Sequence, residues 1–520
     1  MLSAELIPPL LFDRLDLLEA QGDWQQALEL LRSTISRSQP CAEAWHRLGR
    51  FYQRLDRFAV ARRAYKFALE LDPLRPNSFN NLILLELFCL DADAADLWLQ
   101  QGLAITNMSN EDSDRFLASA CELRLFQRRP DEALAFAERQ LRLRPSPVCL
   151  SNIAVCLRLL RDFSGAVDAQ LQAIRLQVDV DSQYLSNLVG MELDSIDASV
   201  TFHLQLMNLG VFKLCLDPFD RQAQMLLLAG AYCRAHYWHD SRFRYWLWRG
   251  RLVDELIVWD DQGFGDALQN LCWVRQLASS LGRIRLWLRP ALHRLVRNRL
   301  DLPPNVILEV MDPSRIPWAE GCHHVGIWFL PIYMNGWQPG HPRLAAPALG
   351  RAKYLSDNIA IGLVWRAGRH SAPQPERSAR MRDVPFPQLM AQARRWQKRW
   401  GCSLVSLQLD ENSDPVVNEA LARGWLNGSF APGDWESTAE LVEQLSLVVT
   451  IDTAMAHLCG ALGVPCVVLL NSPADWRWGQ SGSDSFLYRS VRLARCPRPG
   501  AWQEALDLAE YHVADLLDNS

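Results

Sequence analysis

Leu256-Ile-Val-Trp-Asp-Asp-Gln-Gly-Phe-Gly-Asp-Ala-Leu-Gln269 joins an apolar run to a glycine-spaced turn and then to a helical pattern. A second stretch, Val449-Thr-Ile-Asp-Thr-Ala-Met-Ala-His-Leu-Cys-Gly-Ala-Leu-Gly-Val-Pro465, repeats that grammar almost two hundred positions later. Each reads as a strand that ends in a tight turn and feeds a helix N-terminus. Such a junction points free backbone N–H groups and the positive end of a helix dipole at an anion. Two of them in separate α/β halves imply a cleft between a nucleotide-linked donor and its acceptor.

Outward from these junctions, apolar runs alternate with helical stretches from Gly250 to the end, the pattern of wound parallel sheets. Candidate strands fall at 254–259, 283–289, 305–310 and 324–330, then at 359–365, 402–408, 447–451, 465–471 and 490–494. The proline-bearing segment 331–356, with Pro331, Pro339, Pro342 and Pro347, separates the two series and reads as a linker. Ligands of such folds sit at the carboxyl ends of the strands.

Toward the N-terminus the pattern is helical from Leu10 to about Gln177. Gly22-Asp23-Trp24 with Ala27 is echoed by Asp56-Arg57-Phe58 with Ala61, by Pro130-Asp131-Glu132 with Ala133 and by Asp162-Phe163-Ser164 with Ala166. Ala27 to Ala61 is a step of 34 residues, as is Trp45 to Phe79, and the spacing slips between 95 and 133. This resembles tetratricopeptide repeats, whose helix pairs recur at about that period and stack into a solenoid with a concave binding face. Residues 181–250 are aromatic-rich and read as a helical connector.

The bulk numbers narrow the class. A chain of 520 residues exceeds one core, and 49% hydrophobic with 22% charged residues is a globular balance. A formal net charge of −5 gives no drive toward nucleic acid. Thirteen cysteines contain no CxxC pair, so reduced thiols and a cytoplasmic location are expected. No apolar run approaches the roughly 18 residues of a membrane span, while peripheral membrane contact stays open.

Gln262-Gly-Phe-Gly-Asp-Ala-Leu-Gln269, Ile361-Gly-Leu-Val-Trp365, Ser406-Leu-Gln408, Asp452-Thr-Ala-Met-Ala-His457 and Ala474-Asp-Trp-Arg-Trp478 together resemble the GT-B glycosyltransferases. The likeness is strongest to the heptosyltransferase-like family, glycosyltransferase family 9, and to bacterial proteins that fuse tetratricopeptide repeats to it. The expected fold is therefore an all-α tetratricopeptide solenoid followed by an α/β GT-B fold of two Rossmann-like doubly wound domains. The divisions expected are repeats over 1–180, the connector over 181–250, an acceptor domain over 251–345 and a donor domain over 346–520.

The resemblance implies a metal-independent inverting glycosyltransferase with no cofactor beyond its nucleotide-diphosphate sugar, and a protein or peptide acceptor presented by the repeats. It assigns Asp266 as the base that takes the acceptor proton; capping of its own helix is the other role open to that residue. Gly263, Gly265 and Gln269 would line the acceptor side. Asp452, Thr453, Ala454 and Met455 would form the donor diphosphate turn, with His457 reaching a phosphate or packing inside the helix layer. The loop after Trp365 carries no lysine, so Arg366 or Arg369 would clamp the diphosphate, with Arg377, Arg380 and Arg382 downstream as alternatives. Asp434, Asp475 and Trp476 are candidates for ribose or sugar contacts; capping and core packing are their ordinary alternatives. No pair of carboxylates stands where a metal-dependent transferase needs one, and His323-His324 lacks a nearby partner. Two other readings remain: a non-catalytic interaction scaffold with a drifted transferase domain, and a sugar-nucleotide epimerase or hydrolase of the same shape.

Overall fold

The computed structural model describes residues 9–89, 91–177, 200–217, 220, 223–224, 226–227, 240–312, 315–334, 359–368, 382–408, 415–428 and 433–518. The chain divides into two compact units, Met1–Leu160 and Arg161–Ser520.

The first unit is a run of helices: α1 (Pro9–Gln21), α2 (Trp24–Ile35), α3 (Ala42–Arg54), α4 (Phe58–Leu71), α5 (Pro76–Phe88), α6 (Ala92–Leu103), α7 (Asn110–Phe126), α8 (Pro130–Leu143) and α9 (Pro147–Leu159). Their starts are written locally. Asp23, Asp91, Ser109 and Ser146 each accept a backbone N–H of the following turn, and Pro76, Pro130 and Pro147 occupy first-turn positions. The repeat is marked by a small alanine, fully buried at Ala27, Ala61, Ala95 and Ala133. Five residues before three of them the chain turns through positive φ, at Gly22, Asp56 and Arg128. The slip in period has a simple cause: α7 has 17 residues where α3 and α5 have 13. One additional helical turn widens the step from Ala95 to Ala133 to 38 residues.

The second unit opens with α10 (Phe163–Gln177), α11 (Val200–Leu216) and α12 (Ser241–Trp246). Four strands follow: β1 (Glu255–Trp259), β2 (Arg283–Leu288), β3 (Val306–Val310) and β4 (His323–Gly326). They form one parallel sheet in the order β3-β2-β1-β4. Its crossovers are α13 (Phe264–Ala278) and α14 (Pro290–Arg299), and α15 (Leu330–Tyr333) lies beyond β4. The second sheet holds β5 (Ala360–Leu363), β6 (Ser403–Ser406), β7 (Leu447–Ile451), β8 (Cys466–Leu470) and β9 (Val491–Arg495). It is also parallel, in the order β6-β5-β7-β8-β9. Its helices are α16 (Phe386–Trp400), α17 (Pro415–Ala422), α18 (Trp435–Val442), α19 (Ala454–Leu462) and α20 (Trp502–Asp518). A strand lies at each expected place, but the one expected over 324–330 stops at Gly326: Ile327–Phe329 is a 3-10 turn and Leu330–Tyr333 a helix with Pro331 in its first turn. Strands β7 and β8 are buried at every position, as a sheet covered on both faces requires. Most of the proline-bearing segment and of the aromatic connector falls outside the described residues, as does the boundary at 345.

One hydrophobic core runs through both sheets' inner faces. It joins Leu256, Leu271, Trp287 and Val325 to Val364, Leu407, Val442, Leu458 and Tyr488. A second core lies on the other side of the five-stranded sheet, around Trp396, Leu404 and Leu506. The contact between halves is also ionic: Arg299 on α14 reaches Glu436 and Glu443, each at 2.7 Å.

The order of each sheet reverses beside one strand, between β1 and β4 in the first and between β5 and β7 in the second. Ligand crevices form at such reversals, outside the carboxyl ends of the strands. The turns 260–266, 364–368 and 452–455 all leave those ends.

Candidate active site between two sheets

The turn after β1 is held from beneath. Asp260 is almost fully buried and takes a two-pronged ion pair from Arg289 (Nε–Oδ2 2.6 Å, Nη2–Oδ1 2.9 Å). The same guanidinium donates to the Gln262 carbonyl at 2.8 Å and lies 3.9 Å over the Phe264 ring. Burial pushes the Asp260 carboxyl above its ordinary range, against the pull of Arg289. From this support the chain enters α13, where Asp266 Oδ2 accepts the Gly263 N–H at 3.1 Å. Asp266 thus caps its helix, one of the two roles open to it, and its second oxygen points elsewhere. Oδ1 accepts from Arg477 Nη1 at 2.7 Å, a bridge from one half to the other.

The first turns of α13 and α19 lie against each other. A Cβ at Gly265 would stand 2.9 Å from His457 Cδ2 and 3.3 Å from Ala454 Cα. The open side of Gly265 is therefore filled by the other half of the fold. Gly263 is exposed at the N-cap of α13. Gln269 is buried one helical turn further on, and its Oε1 has no partner among the described residues.

Across the cleft, Thr453 is the N-cap residue of α19 and its side chain caps nothing. Its hydroxyl instead lies 3.2 Å from that of Thr450, so the N–H groups at Ala454 and Met455 are not covered by it. Asp452 does not face outward: burial raises its pKa, and its Oδ1 accepts Trp478 Nε1 at 2.9 Å while its carbonyl accepts Arg382 Nη1 at 2.7 Å. His457 is buried, bonds Tyr488 Oη through Nδ1 at 3.0 Å and stacks on Trp478 with centroids 5.2 Å apart. Burial brings its pKa down to about 3. The ring is neutral and built into the packing between halves.

Arg366 donates its backbone N–H to Gln408 Oε1 at 2.9 Å, and Trp365 donates to the same oxygen at 3.3 Å. Gln408, the last residue of Ser406-Leu-Gln408, thereby fixes the loop after β5. Arg369, Arg377 and Arg380 lie outside the described residues. Arg382 is placed at the Asp452 turn, and its Nε has no partner among the described residues.

The remaining candidates are structural in their visible contacts. Asp475 accepts the backbone N–H and Nε of Arg477, at 3.1 and 2.9 Å. Trp476 and Trp478 are both buried. Asp434 caps α18 through the Ser437 N–H at 2.9 Å and pairs with Arg294 at 3.3 Å; the Ser437 N–H holds its pKa below the ordinary carboxylate range. Asp434→Ala is expected to lower stability by about 1 kcal/mol, the usual value of an N-cap. Thermal unfolding reads that loss, while an accompanying drop in nucleotide affinity would give Asp434 a ligand role as well. His324 uses both nitrogens, Nδ1 with Trp259 Nε1 at 3.3 Å and Nε2 with the Phe243 carbonyl at 3.0 Å.

Sequence reading passed over Asp261. Its Oδ1 accepts the Trp328 N–H at 3.3 Å, and its Oδ2 is shut from solvent against Gly326 with no partner among the described residues. Burial pushes this carboxyl up to about 8, with Asp266 and Asp260 adding repulsion. A carboxyl raised on folding binds a proton that the unfolded chain has released, so stability falls as pH rises from about 4 to about 8. Asp261→Asn is expected to flatten that fall, by up to about 1.4 kcal/mol per pH unit. Urea midpoints measured across the range check it; parallel curves for the two proteins would refute it.

A tetratricopeptide-repeat family model matches residues 42–73, the α3–α4 pair. No curated protein matches the chain in sequence. Among solved structures, pilF of Pseudomonas aeruginosa is 18% identical, with 45% of this chain and 92% of that one covered at a TM-score of 0.32. The E. coli heptosyltransferase WaaC with ADP is 10% identical, covering 50% and 99% at 0.35. A family 9 glycosyl transferase from Veillonella parvula is 13% identical, covering 52% and 99% at 0.37. Likenesses of this size carry nothing about activity, which has to come from the site itself.

Proposed function

We propose that this chain is a GT-B glycosyltransferase that moves a sugar from a nucleotide-diphosphate donor to an acceptor hydroxyl. The observation that carries the reading is the meeting of two strand-end turns, Gly263–Asp266 and Asp452–Met455, at the reversals of two parallel sheets. In the reaction proposed, Asp266 takes the hydroxyl proton as the acceptor oxygen bonds to the anomeric carbon. The bond from that carbon to the diphosphate oxygen breaks on the opposite face, and its electron pair leaves with the nucleoside diphosphate. One such displacement inverts the anomeric centre. The charge gathering on the leaving group is met by the first N–H groups of α19 and by Arg382, so the mechanism asks for no metal.

The repeats are proposed to present a protein or peptide acceptor. In support, the first unit carries a cleft of about 400 Å³ lined by His46, Arg50, Arg75, Asn77, Asn80 and Asn81, rich in hydrogen-bonding groups for an extended chain. The competing reading, a scaffold without turnover, draws support from Asp266 being already ion-paired.

Calorimetric titration of the whole protein with nucleotide-sugars and nucleoside diphosphates tests the proposal. Saturable binding of one donor class is expected, weakened about tenfold by Thr453→Ala. A cooperatively melting protein that binds none of them would leave the scaffold.

A further inference from the structure

Both oxygens of the proposed base are taken. Asp266 Oδ2 receives the Gly263 N–H, and Oδ1 receives Arg477 Nη1. Each oxygen keeps a second lone pair, but Oδ1 is held in an ion pair across the cleft, and of the two bonds only this one comes from a side chain. Arg477 follows β8, in the opposite half from Asp266, and both side chains are largely shielded, at 15% and 19% exposure. Its guanidinium is shared between Asp266 and Asp475, with Asp452 close enough to act on its charge. Although burial opposes that charge, these three carboxylates hold the Arg477 pKa above its ordinary value.

The place where a diphosphate would bind is next to this cluster. The backbone of Gly265 abuts the start of α19 at Ala454, and Asp452 immediately precedes its N-cap. A diphosphate brought there adds negative charge beside three carboxylates whose cationic neighbours among the described residues include Arg477 and Arg382. A guanidinium fork bonds phosphate oxygens in pairs and strongly. The incoming anion is then a direct competitor of Asp266 for Arg477.

Resting on the transferase reading above, we propose that Arg477 is a donor-operated clasp. Without donor it ties Asp266 across the cleft; a bound diphosphate draws the guanidinium to itself and releases Oδ1 to accept the acceptor proton. The base is thus freed only when there is a leaving group to expel, and Arg477 is a positioning residue for Asp266 as well as a phosphate ligand.

A double-mutant cycle on diphosphate affinity tests this without an acceptor. Full-length protein carrying Asp266→Asn, Arg477→Gln, both or neither is titrated with ADP, GDP and UDP by calorimetry. If Asp266 competes for Arg477, Asp266→Asn tightens binding about fivefold or more, and in the Arg477→Gln background the same change moves affinity less than about twofold. Arg477→Gln alone weakens binding about tenfold. Equal tightening in both backgrounds would be simple removal of a negative charge and would overturn the clasp, as would unchanged or weaker binding in Asp266→Asn. Absence of binding to any of the four proteins would overturn the donor site itself, and the clasp with it. Asn keeps an oxygen for the Gly263 N–H, so the helix start is retained; Asp266→Ser serves if Asn does not fold.

Discussion

Arg289→Ala is expected to destabilise the α/β unit by about 3–5 kcal/mol, the cost of stranding one member of a buried ion pair. Asp260 has no exposed side-chain surface, and both its oxygens take their bonds from Arg289. Truncation leaves that carboxyl without its partner, and it also removes the bond to the Gln262 carbonyl and the cation above Phe264. The damage is therefore centred on the turn that delivers Gly263 and Asp266. Urea unfolding followed by tryptophan fluorescence reads the loss. Asp260→Asn combined with Arg289→Met is expected to recover much of it, because an uncharged pair needs no counter-ion. A cost below about 1 kcal/mol for Arg289→Ala would mean that the pair is solvated and does not support the turn.

Asp266→Asn is expected to lower transfer by about 10²–10⁴-fold, the range usually lost with a general base. The amide is nearly the same shape and can still accept the Gly263 N–H. It cannot take a proton from a hydroxyl. The loss should therefore appear in kcat, with donor affinity improved. Measurement needs a donor found by the binding screen and product detected by mass. Turnover within tenfold of the parent protein would remove Asp266 from the reaction and leave it as a helix cap.

What sequence made legible was local. Strands β1, β7 and β8 are short apolar runs bounded by turn residues, and their ends fall within a residue or so of expectation. Ala27 and Ala61 gave the helical period because each must be small wherever two helices touch. The left-handed turn at Arg128 was invisible, since arginine carries no preference for positive φ. Nor could the four additional residues of α7 be told from a loop.

The site was legible as two turns and illegible as a network. Arg477 and Asp266 are 211 positions apart, Arg289 and Asp260 are 29 apart, and Gln408 reaches back 42 to Arg366. Such pairs leave no periodicity for a reader of the chain to detect. His457 shows the limit most clearly. Its place one turn into α19 suggested phosphate, and only the three-dimensional arrangement puts Trp478 against its face and Tyr488 on its nitrogen. Asp261, next to the residue that drew notice, was hidden because its environment comes from Gly326 and Trp328 on a distant strand end.

The core shared by the two sheets has a consequence for how this chain can be altered. Leu458, Val442 and Tyr488 belong to one continuous core with Leu256, Leu271 and Trp287, and the first turns of α13 and α19 lie against each other within it. Residues 359–518 produced alone would present that surface to water, and a segment grafted from another protein would meet it with the wrong shapes. The proposed donor site is therefore to be probed at the turns, one residue at a time, and not by exchanging modules.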